Sequence, residues 1–260
     1  MLRSLACLSL VLCSQTLTSA AVQTKTISYK VGDLECQGFL AWDDAVKDAR
    51  PGVLVVHEWW GLNDYARGRA KQLAELGYVA FACDMYGEGK NVDHPKEAGE
   101  MATKVRANVD DWRKRATAAL EVLKSQPQCD KSKLAAMGYC FGGSTALQLA
   151  YTGADLKAVA TFHAALPAPT AAEAKAIKAR LLICNGADDS FITADTIKKF
   201  RDPLDAAKVN YEFISYTGAH HSFTVADSDR HGDANMKYNK TADEESWKAL
   251  KKLLNETLGK

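Results

Sequence analysis

Short apolar runs alternate with longer segments of helical spacing along most of this 260-residue chain. An uninterrupted apolar run bounded by turn residues is typical of a strand that is buried on both faces, as the strands of a parallel sheet are. Such strands are predicted at 52–57, 78–83, 134–138, 158–162, 180–184 and 211–216. Two segments at 24–29 and 35–42, joined around Gly32 and Asp33, predict an antiparallel pair that opens the fold.

Helical spacing fills the intervals between these strands. Helices are predicted at 65–76, 105–125, 143–151, 194–207 and 243–258. Strands that alternate with helices indicate an α/β fold with a mostly parallel central sheet, helices on both faces and right-handed crossovers. No Pro-, Gly- or Ser-rich linker interrupts the pattern, so residues 21–260 are predicted to form one domain.

The first twenty residues have a different pattern. Arg3 supplies a positive charge, residues 5–12 are an apolar run, and small residues surround position 20. This is the layout of a secretory signal peptide, and the run is too short to span a bilayer. We therefore predict a signal peptide at 1–20 and an exported protein, periplasmic or secreted, with no stable membrane insertion after cleavage.

Composition narrows the classes of partner. Lys and Arg number 33 against 32 for Asp and Glu, so no basic field for nucleic acid is present. We expect a small-molecule partner, no cofactor, and a monomer or weak oligomer. Of seven cysteines, five follow the predicted signal peptide; an exported protein can form disulfides, but an odd number leaves at least one thiol unpaired.

The segment Gly138-Tyr139-Cys140-Phe141-Gly142-Gly143 follows a predicted strand and opens a predicted helix. It matches the G-x-S-x-G nucleophile elbow, with cysteine in the serine position. The tight strand-to-helix turn raises the nucleophile above the sheet, and the helix N-terminus favours a thiolate. The N–H of Phe141 can then point at a developing oxyanion. Ser144 lies one turn inside the helix, so its hydroxyl is not at the apex.

A nucleophile needs a base and a group that orients the base, and after such an elbow the acid precedes the histidine in the chain. Asp188 and Asp189 follow the strand at 180–184, and His220 and His221 follow the last strand. The pattern does not choose within either pair. Adjacent histidines rarely bind one metal ion and a third ligand is not evident, so no metal site is predicted.

A further group of candidates lies at 57–63, after the first buried strand. In a parallel sheet, loops at the strand C-termini form the site. The N–H of Trp59 is a candidate second oxyanion donor, and Trp60 offers an apolar wall for substrate. Glu58 would repel an oxyanion, so it either pairs with an arginine or handles the proton of the thiol.

Together these segments resemble the dienelactone hydrolase (carboxymethylenebutenolidase) family. The similar segments are HEWWGLN at 57–63, DMYG at 84–87, GYCFGG at 138–143, DDSFI at 188–192 and HHSF at 220–223. The resemblance implies a single-domain α/β-hydrolase fold with a Cys-His-Asp triad. It matches His221 to the family histidine, Asp189 to its aspartate and Glu58 to its glutamate. By implication, Glu58 keeps the thiol neutral until substrate displaces it, and an ester or lactone is hydrolysed through a thioester.

The chain departs from the family at the arginines that bind a substrate carboxylate. One family position falls within Gly87 to Lys90 and the other at Val225, and neither is arginine here. Lys90 and Arg230 are weak candidates to replace them. An alternative from another class is a binding or thiol-redox protein on an α/β-hydrolase scaffold, because an exported reactive thiol is open to oxidation.

Overall fold

An eight-stranded sheet organises the part of the chain that the computed structural model describes, residues 22–259 apart from the side chain of His231. The predicted signal peptide at 1–20 lies outside the described residues. The strands are β1 (Val22–Val31), β2 (Leu34–Asp43), β3 (Arg50–Val56), β4 (Val79–Cys83), β5 (Cys129–Tyr139), β6 (Ala158–Phe162), β7 (Arg180–Gly186) and β8 (Tyr211–Tyr216).

The strand order is β1-β2-β4-β3-β5-β6-β7-β8. Strands β3 to β8 run parallel, whereas β1 and β2 pair antiparallel with each other and β2 pairs antiparallel with β4. The predicted α/β class with a mostly parallel sheet is confirmed. The β5 strand lies inside the sheet between β3 and β6, so the turn that follows it is surrounded by other strand ends.

Seven helices connect the strands: α1 (Asp64–Glu75), α2 (Pro95–Arg106), α3 (Val109–Lys124), α4 (Phe141–Tyr151), α5 (Ala171–Ala176), α6 (Ala194–Ala206) and α7 (Lys240–Leu258). Side chains of α1 and α7 bury one face of the sheet, and those of α2 to α6 bury the other. Two apolar layers therefore sandwich the sheet, as the unbroken apolar strands require.

One predicted helix was wrong. The segment 105–125 is not continuous: α2 ends at Arg106 and α3 begins at Val109. Asn108 has extended backbone, and its side chain accepts a hydrogen bond from the N–H of Asp111 at 3.0 Å. An asparagine that caps the second helix ends the run of helical backbone there.

The carboxyl ends of the parallel strands carry the polar candidates. Glu58 follows β3, Cys140 follows β5, Asp189 follows β7 and His221 follows β8. Because these ends meet at one edge of the sheet, groups distant in sequence come together there. Within residues 22–259, no helix is both long and apolar enough to cross a membrane, and no three His, Cys, Asp or Glu side chains are grouped to hold a metal ion.

Candidate active site

Cys140 occupies a strained turn between β5 and α4. Its backbone has φ of 51° and ψ of −114°, outside the helical and strand regions. A Cβ atom on Gly138 would lie 2.2 Å from the carbonyl of Gly142, and one on Gly142 would lie 2.2 Å from the carbonyl oxygen of Val56. The two glycines are therefore required by close backbone approach, which explains their spacing around the cysteine.

The half-buried Cys140 neighbours the imidazole of His221 and is one of the groups that raise the pKa of that ring. Nδ1 of His221 lies 2.8 Å from Oδ2 of Asp189, and the other oxygen of that carboxylate accepts the N–H of Phe191 at 3.0 Å. Burial would lower the pKa of His221, but the adjoining Cys140 and Asp189 outweigh it and raise that pKa. Carboxylate, imidazole and thiol thus follow one another, and the raised pKa means that His221 can hold a proton beside the sulfur.

The other members of the two candidate pairs, Asp188 and His220, do not take part in this arrangement. Asp188 is exposed, whereas Asp189 is buried. His220 is half-buried, and its Nδ1 has no hydrogen-bond partner among the described residues. A one-residue shift points a side chain in another direction, so only Asp189 of its pair contacts His221.

Glu58 is buried against the other side of His221. It is 3% exposed, and its Oε1 has no hydrogen-bond partner among the described residues. Burial raises the pKa of Glu58 to about 7, although the positive field of His221 and a hydrogen bond with Ser222 lower it. The carboxyl can therefore gain or lose a proton near neutral pH.

His163 was missed by the sequence reasoning. It follows β6, is fully buried, and packs its ring edge-to-face on His221 with centroids 5.2 Å apart. Its Nε2 lies 2.8 Å from Oγ1 of Thr224, and its Nδ1 faces Oε1 of Glu58 at 4.0 Å. Burial lowers the pKa of His163, so the ring is neutral. The sequence does contain an indication of this residue, because His163 is a polar residue that directly follows the predicted buried strand at 158–162.

The backbone around Glu58 is held by His57. Nε2 of His57 accepts the N–H of Met85 at 3.1 Å, so Nδ1 carries the hydrogen that is donated to the carbonyl of Glu58. The hydroxyl of Tyr86 donates to the carbonyl of Trp59 at 2.9 Å. These bonds join the loop after β4 to the loop after β3.

The two expected oxyanion donors are free to bind a ligand. Phe141 is the first residue of α4, where a backbone N–H has no acceptor within the helix. Among residues 22–259, no acceptor is found for the N–H of Trp59 either. Their positions beside the elbow are compatible with a shared oxyanion site.

Backbone strain is concentrated around these residues. Five non-glycine residues in the described chain have positive φ, and three of them, Cys140, His163 and Ser222, belong to the site. Such conformations cost about 1–3 kcal/mol each and persist where surrounding packing holds them.

Two cavities lie on either side of His221. The first, called the polar cavity, has a volume of about 260 Å³. Its lining includes Glu58, Trp60, Asp64, Ser222, Asp227 and Arg230. The second, called the apolar cavity, has a volume of about 320 Å³. Its lining includes Arg106, Trp112, Leu166, Pro167, Phe191 and Ile192.

The weaker substrate-binding candidates fall differently around these cavities. Trp60 is buried and forms part of the wall of the polar cavity. Arg230 also lines that cavity, but its guanidinium pairs with Asp93 at 2.7 Å and Asp227 at 3.3 Å. Lys90 is exposed, pairs with Glu88 at 2.8 Å and lines neither cavity. The expectation that Lys90 contacts substrate therefore stays a prediction, since its ammonium faces Glu88 and solvent in this structure.

Comparison with known proteins shows which family this chain is similar to. A model of the dienelactone hydrolase family matches residues 36–258. A solved structure described as a dienelactone hydrolase-like promiscuous phosphotriesterase from metagenomic libraries is 38% identical, with a TM-score of 0.89, covering 92% of this chain and 99% of that one. A second, named m3DLH, has the same identity, TM-score and coverage. A protein of Saccharolobus solfataricus with the provisional name carboxymethylenebutenolidase is 27% identical over 88% of this chain and 97% of its own length.

Proposed function

The chain belongs to the dienelactone hydrolase family, and from this premise we propose that it hydrolyses a small carboxylic ester or lactone with Cys140 as the nucleophile. The observation that carries the proposal is that His221, hydrogen-bonded to Asp189, lies beside Cys140 at the strained elbow. In this proposal His221 is the base and acid, and Asp189 orients the ring.

In the first half of the reaction, the Cys140 thiolate attacks the carbonyl carbon of the ester. A sulfur–carbon bond forms and the carbonyl π electrons move to oxygen, where the N–H groups of Phe141 and Trp59 can stabilise the charge. The tetrahedral intermediate expels the alkoxide, which takes the proton from the His221 imidazolium. The products of this half are the free alcohol and a thioester on Cys140.

In the second half, water replaces the alcohol. His221 accepts a proton from the water as its oxygen attacks the thioester carbon, and the new tetrahedral intermediate expels the thiolate. The acid leaves and the thiolate–imidazolium pair is restored. For a lactone, the alcohol and acid remain in one molecule, so a hydroxy acid is released.

Glu58 is proposed to control the proton of the thiol. A carboxyl whose pKa is raised to about 7 by burial can exchange a proton with a thiol at neutral pH. Cys140 interacts with His221, and in this proposal that pairing is the reactive state of the thiol. Substrate in the polar cavity would contact Glu58 directly, since Glu58 forms part of its wall.

The test compares Cys140→Ala and His221→Ala with the wild type on chromogenic acetate and butyrate esters and a panel of lactones. Each substitution is expected to lower kcat/KM by at least about 10³-fold, because residues of a triad act as a unit. Cys129→Ala, which removes a thiol at the amino end of β5, opposite the candidate site, is the matched control and should leave turnover unchanged. Retained turnover in either triad variant, with circular dichroism showing a folded protein, would contradict the proposal.

The thioester itself can be trapped. Rapid acid quenching of wild-type protein during turnover should give an intact mass increased by one acyl group, located on Cys140 by peptide mapping. Cys140→Ser should accumulate little product, because a hydroxyl needs stronger base assistance than a thiol. An acyl group found on another residue would assign the nucleophile elsewhere.

The redox alternative predicts a disulfide to Cys140. All five cysteines between residues 22 and 259 are free thiols, so no such bond supports it. Thiol counting under non-reducing denaturing conditions should give five reactive thiols for a chain lacking residues 1–20.

Export remains part of the proposal because the pattern at 1–20 supports it. Expression of the full chain in a Gram-negative host should yield a protein in the periplasmic fraction whose mass corresponds to cleavage near residue 20. An uncleaved protein in the cytoplasmic fraction would contradict the predicted signal peptide.

A further inference from the structure

The apolar cavity has a single charged side chain in its wall. Its remaining lining consists of apolar side chains together with the small hydroxyls of Ser144 and Thr196, and the one charged group is Arg106. Arg106 is the last residue of α2. No carboxylate lines this cavity, so nothing in its wall neutralises the guanidinium.

The guanidinium of Arg106 has no ion-pair partner within residues 22–259. Nearby arginines of α3 differ in this respect: Arg113 pairs with Glu173, and Arg115 pairs with Asp111 at 2.8 Å. Arg106 is exposed and instead lies over the ring of Phe141, 5.2 Å from its centroid. An arginine held on an aromatic face keeps its N–H donors available to a carboxylate.

Arg106 is electrostatically close to the reaction centre. Burial and the nearby Cys140 raise the pKa of Tyr86, whereas Arg106 lowers it, so one phenol lies near both groups. The ring beneath Arg106 belongs to Phe141, the residue after the nucleophile. A ligand bound to Arg106 would therefore lie close to the elbow.

Phe191 lies at the rim of the same cavity and connects it to the triad. Its side chain is 51% exposed, one of three large apolar side chains so exposed in the described chain. Its ring meets that of His221 edge-to-face, with centroids 5.3 Å apart. An exposed aromatic ring beside a catalytic base is a surface that an apolar ligand group would cover.

We propose that the apolar cavity binds an apolar part of the substrate that ends in a carboxylate, and that Arg106 binds this carboxylate while Phe191 covers the apolar stem. The inference rests on the proposed hydrolase function and gives its substrate class. The carboxylate can belong to the acid or to the alcohol part of the ester, and both place the same chemistry in the cavity.

Matched esters distinguish the two sources. For the acid part, 4-nitrophenyl hydrogen adipate is compared with its neutral methyl ester; for the alcohol part, 6-acetoxyhexanoate is compared with methyl 6-acetoxyhexanoate. In one of the two arms the wild type should prefer the charged member by roughly five- to tenfold in kcat/KM, the size expected for a charge-assisted bond at an exposed site. That preference should fall in 0.5 M NaCl because an exposed charge is screened.

Variants then assign the preference to Arg106. In Arg106→Gln the charged-to-neutral ratio should fall to about one, and Arg106→Lys should keep part of the preference. Lys104→Gln removes an exposed cation from the same last turn of α2 and is the matched control, with the ratio unchanged. A ratio near one in the wild type for both arms, or a ratio that survives in Arg106→Gln, would overturn the inference.

Binding without turnover separates this inference from the proposed function. Hexanoate should bind wild-type protein and Cys140→Ala alike in a ligand-observed NMR titration, with affinity reduced at least fivefold in Arg106→Gln; 1-hexanol should not discriminate between them. If no ester or lactone is hydrolysed, the proposed function fails. The titration still tests whether Arg106 binds a carboxylate in the apolar cavity. Equal hexanoate affinity in wild type and Arg106→Gln refutes the site whatever the catalytic result.

Discussion

The polar and apolar cavities have similar volumes, about 260 and 320 Å³, but opposite chemistry. The polar cavity is lined by two exposed aspartates, a paired arginine and the buried carboxyl of Glu58. The apolar cavity has one cation and no acid in its wall. Both cavities border His221: Ser222, the next residue in the chain, lines the polar cavity, and Phe191, which packs on the His221 ring, lines the apolar cavity.

From this difference we expect the two sides of Cys140 to serve different purposes, proton transfer on one side and substrate binding on the other. The titrating carboxyl of Glu58 is buried on one side, next to the neutral ring of His163, where a low dielectric makes its charge state sensitive to small changes. Groups that can only bind lie on the side of Phe191 and Arg106. Substitutions beside the polar cavity should therefore change kcat and its pH dependence, and those beside the apolar cavity should change KM and substrate preference.

The largest effect is expected for Glu58→Gln, which removes the titrating group of the polar cavity. Loss of a group that exchanges the thiol proton should lower kcat by about a hundredfold. The measurement is the pH dependence of kcat between pH 5 and 9, in which the ionisation near pH 7 should disappear. Unchanged kcat with the same pH profile would show that Glu58 takes no part in the reaction.

The same variant should be more stable at high pH. The folded chain keeps a proton on Glu58 up to about pH 7, whereas an unfolded chain loses it near pH 4.5, so this group favours unfolding increasingly between these two values. The cost at pH 8 is about 3 kcal/mol. Urea denaturation should show Glu58→Gln more stable than wild type at pH 8, and equal to it near pH 4.5.

A smaller effect is expected for His163→Asn. Asparagine tolerates the positive φ of this position, but its side chain is too short to contact Thr224 and to pack on His221. We expect kcat to fall about tenfold with KM nearly unchanged, because His163 positions Glu58 and His221 rather than substrate. His220→Asn is the matched control and should behave as wild type; equal losses in both variants would indicate a structural role.

Phe191→Ala tests the apolar cavity. Removal of the exposed ring should raise the KM for a hexanoate ester about threefold, because the longer acyl chain reaches the ring. The KM for an acetate ester should not change. Stability should not change, because half of the side chain is already in water. Val46→Ala, at another exposed apolar residue, is the control. A uniform effect on both esters would place the substrate elsewhere.

The smallest effect is expected for Arg230→Met at the edge of the polar cavity. Its pairs with Asp93 and Asp227 are exposed, and such pairs contribute about 0–1 kcal/mol. Urea denaturation should therefore show a loss of stability below about 1 kcal/mol. A larger loss would mean that these ion pairs hold the loop over the cavity.

Family and fold class were predictable because their signals are local. The apolar runs of the parallel strands and the glycines at 138 and 142 are dictated by burial and by close backbone approach, and the family resemblance drawn from such segments is confirmed. The break between α2 and α3 was not predicted, because Asn108 interrupts a pattern whose apolar spacing continues on both sides of it.

The arrangement around the cysteine depends on contacts between distant segments. Local pattern left Asp188 and Asp189 equivalent, and the three-dimensional structure separates them because one carboxylate is buried against His221 and the other faces solvent. The position of Arg106 near the candidate site could not be predicted from the sequence, because basic residues are common at the ends of helices. Only the three-dimensional structure brings the end of α2 over Phe141 at the start of α4. The residue types and their spacing thus determine the elbow and the sheet, whereas burial and pairing across the strand ends determine which side chains can act on a substrate.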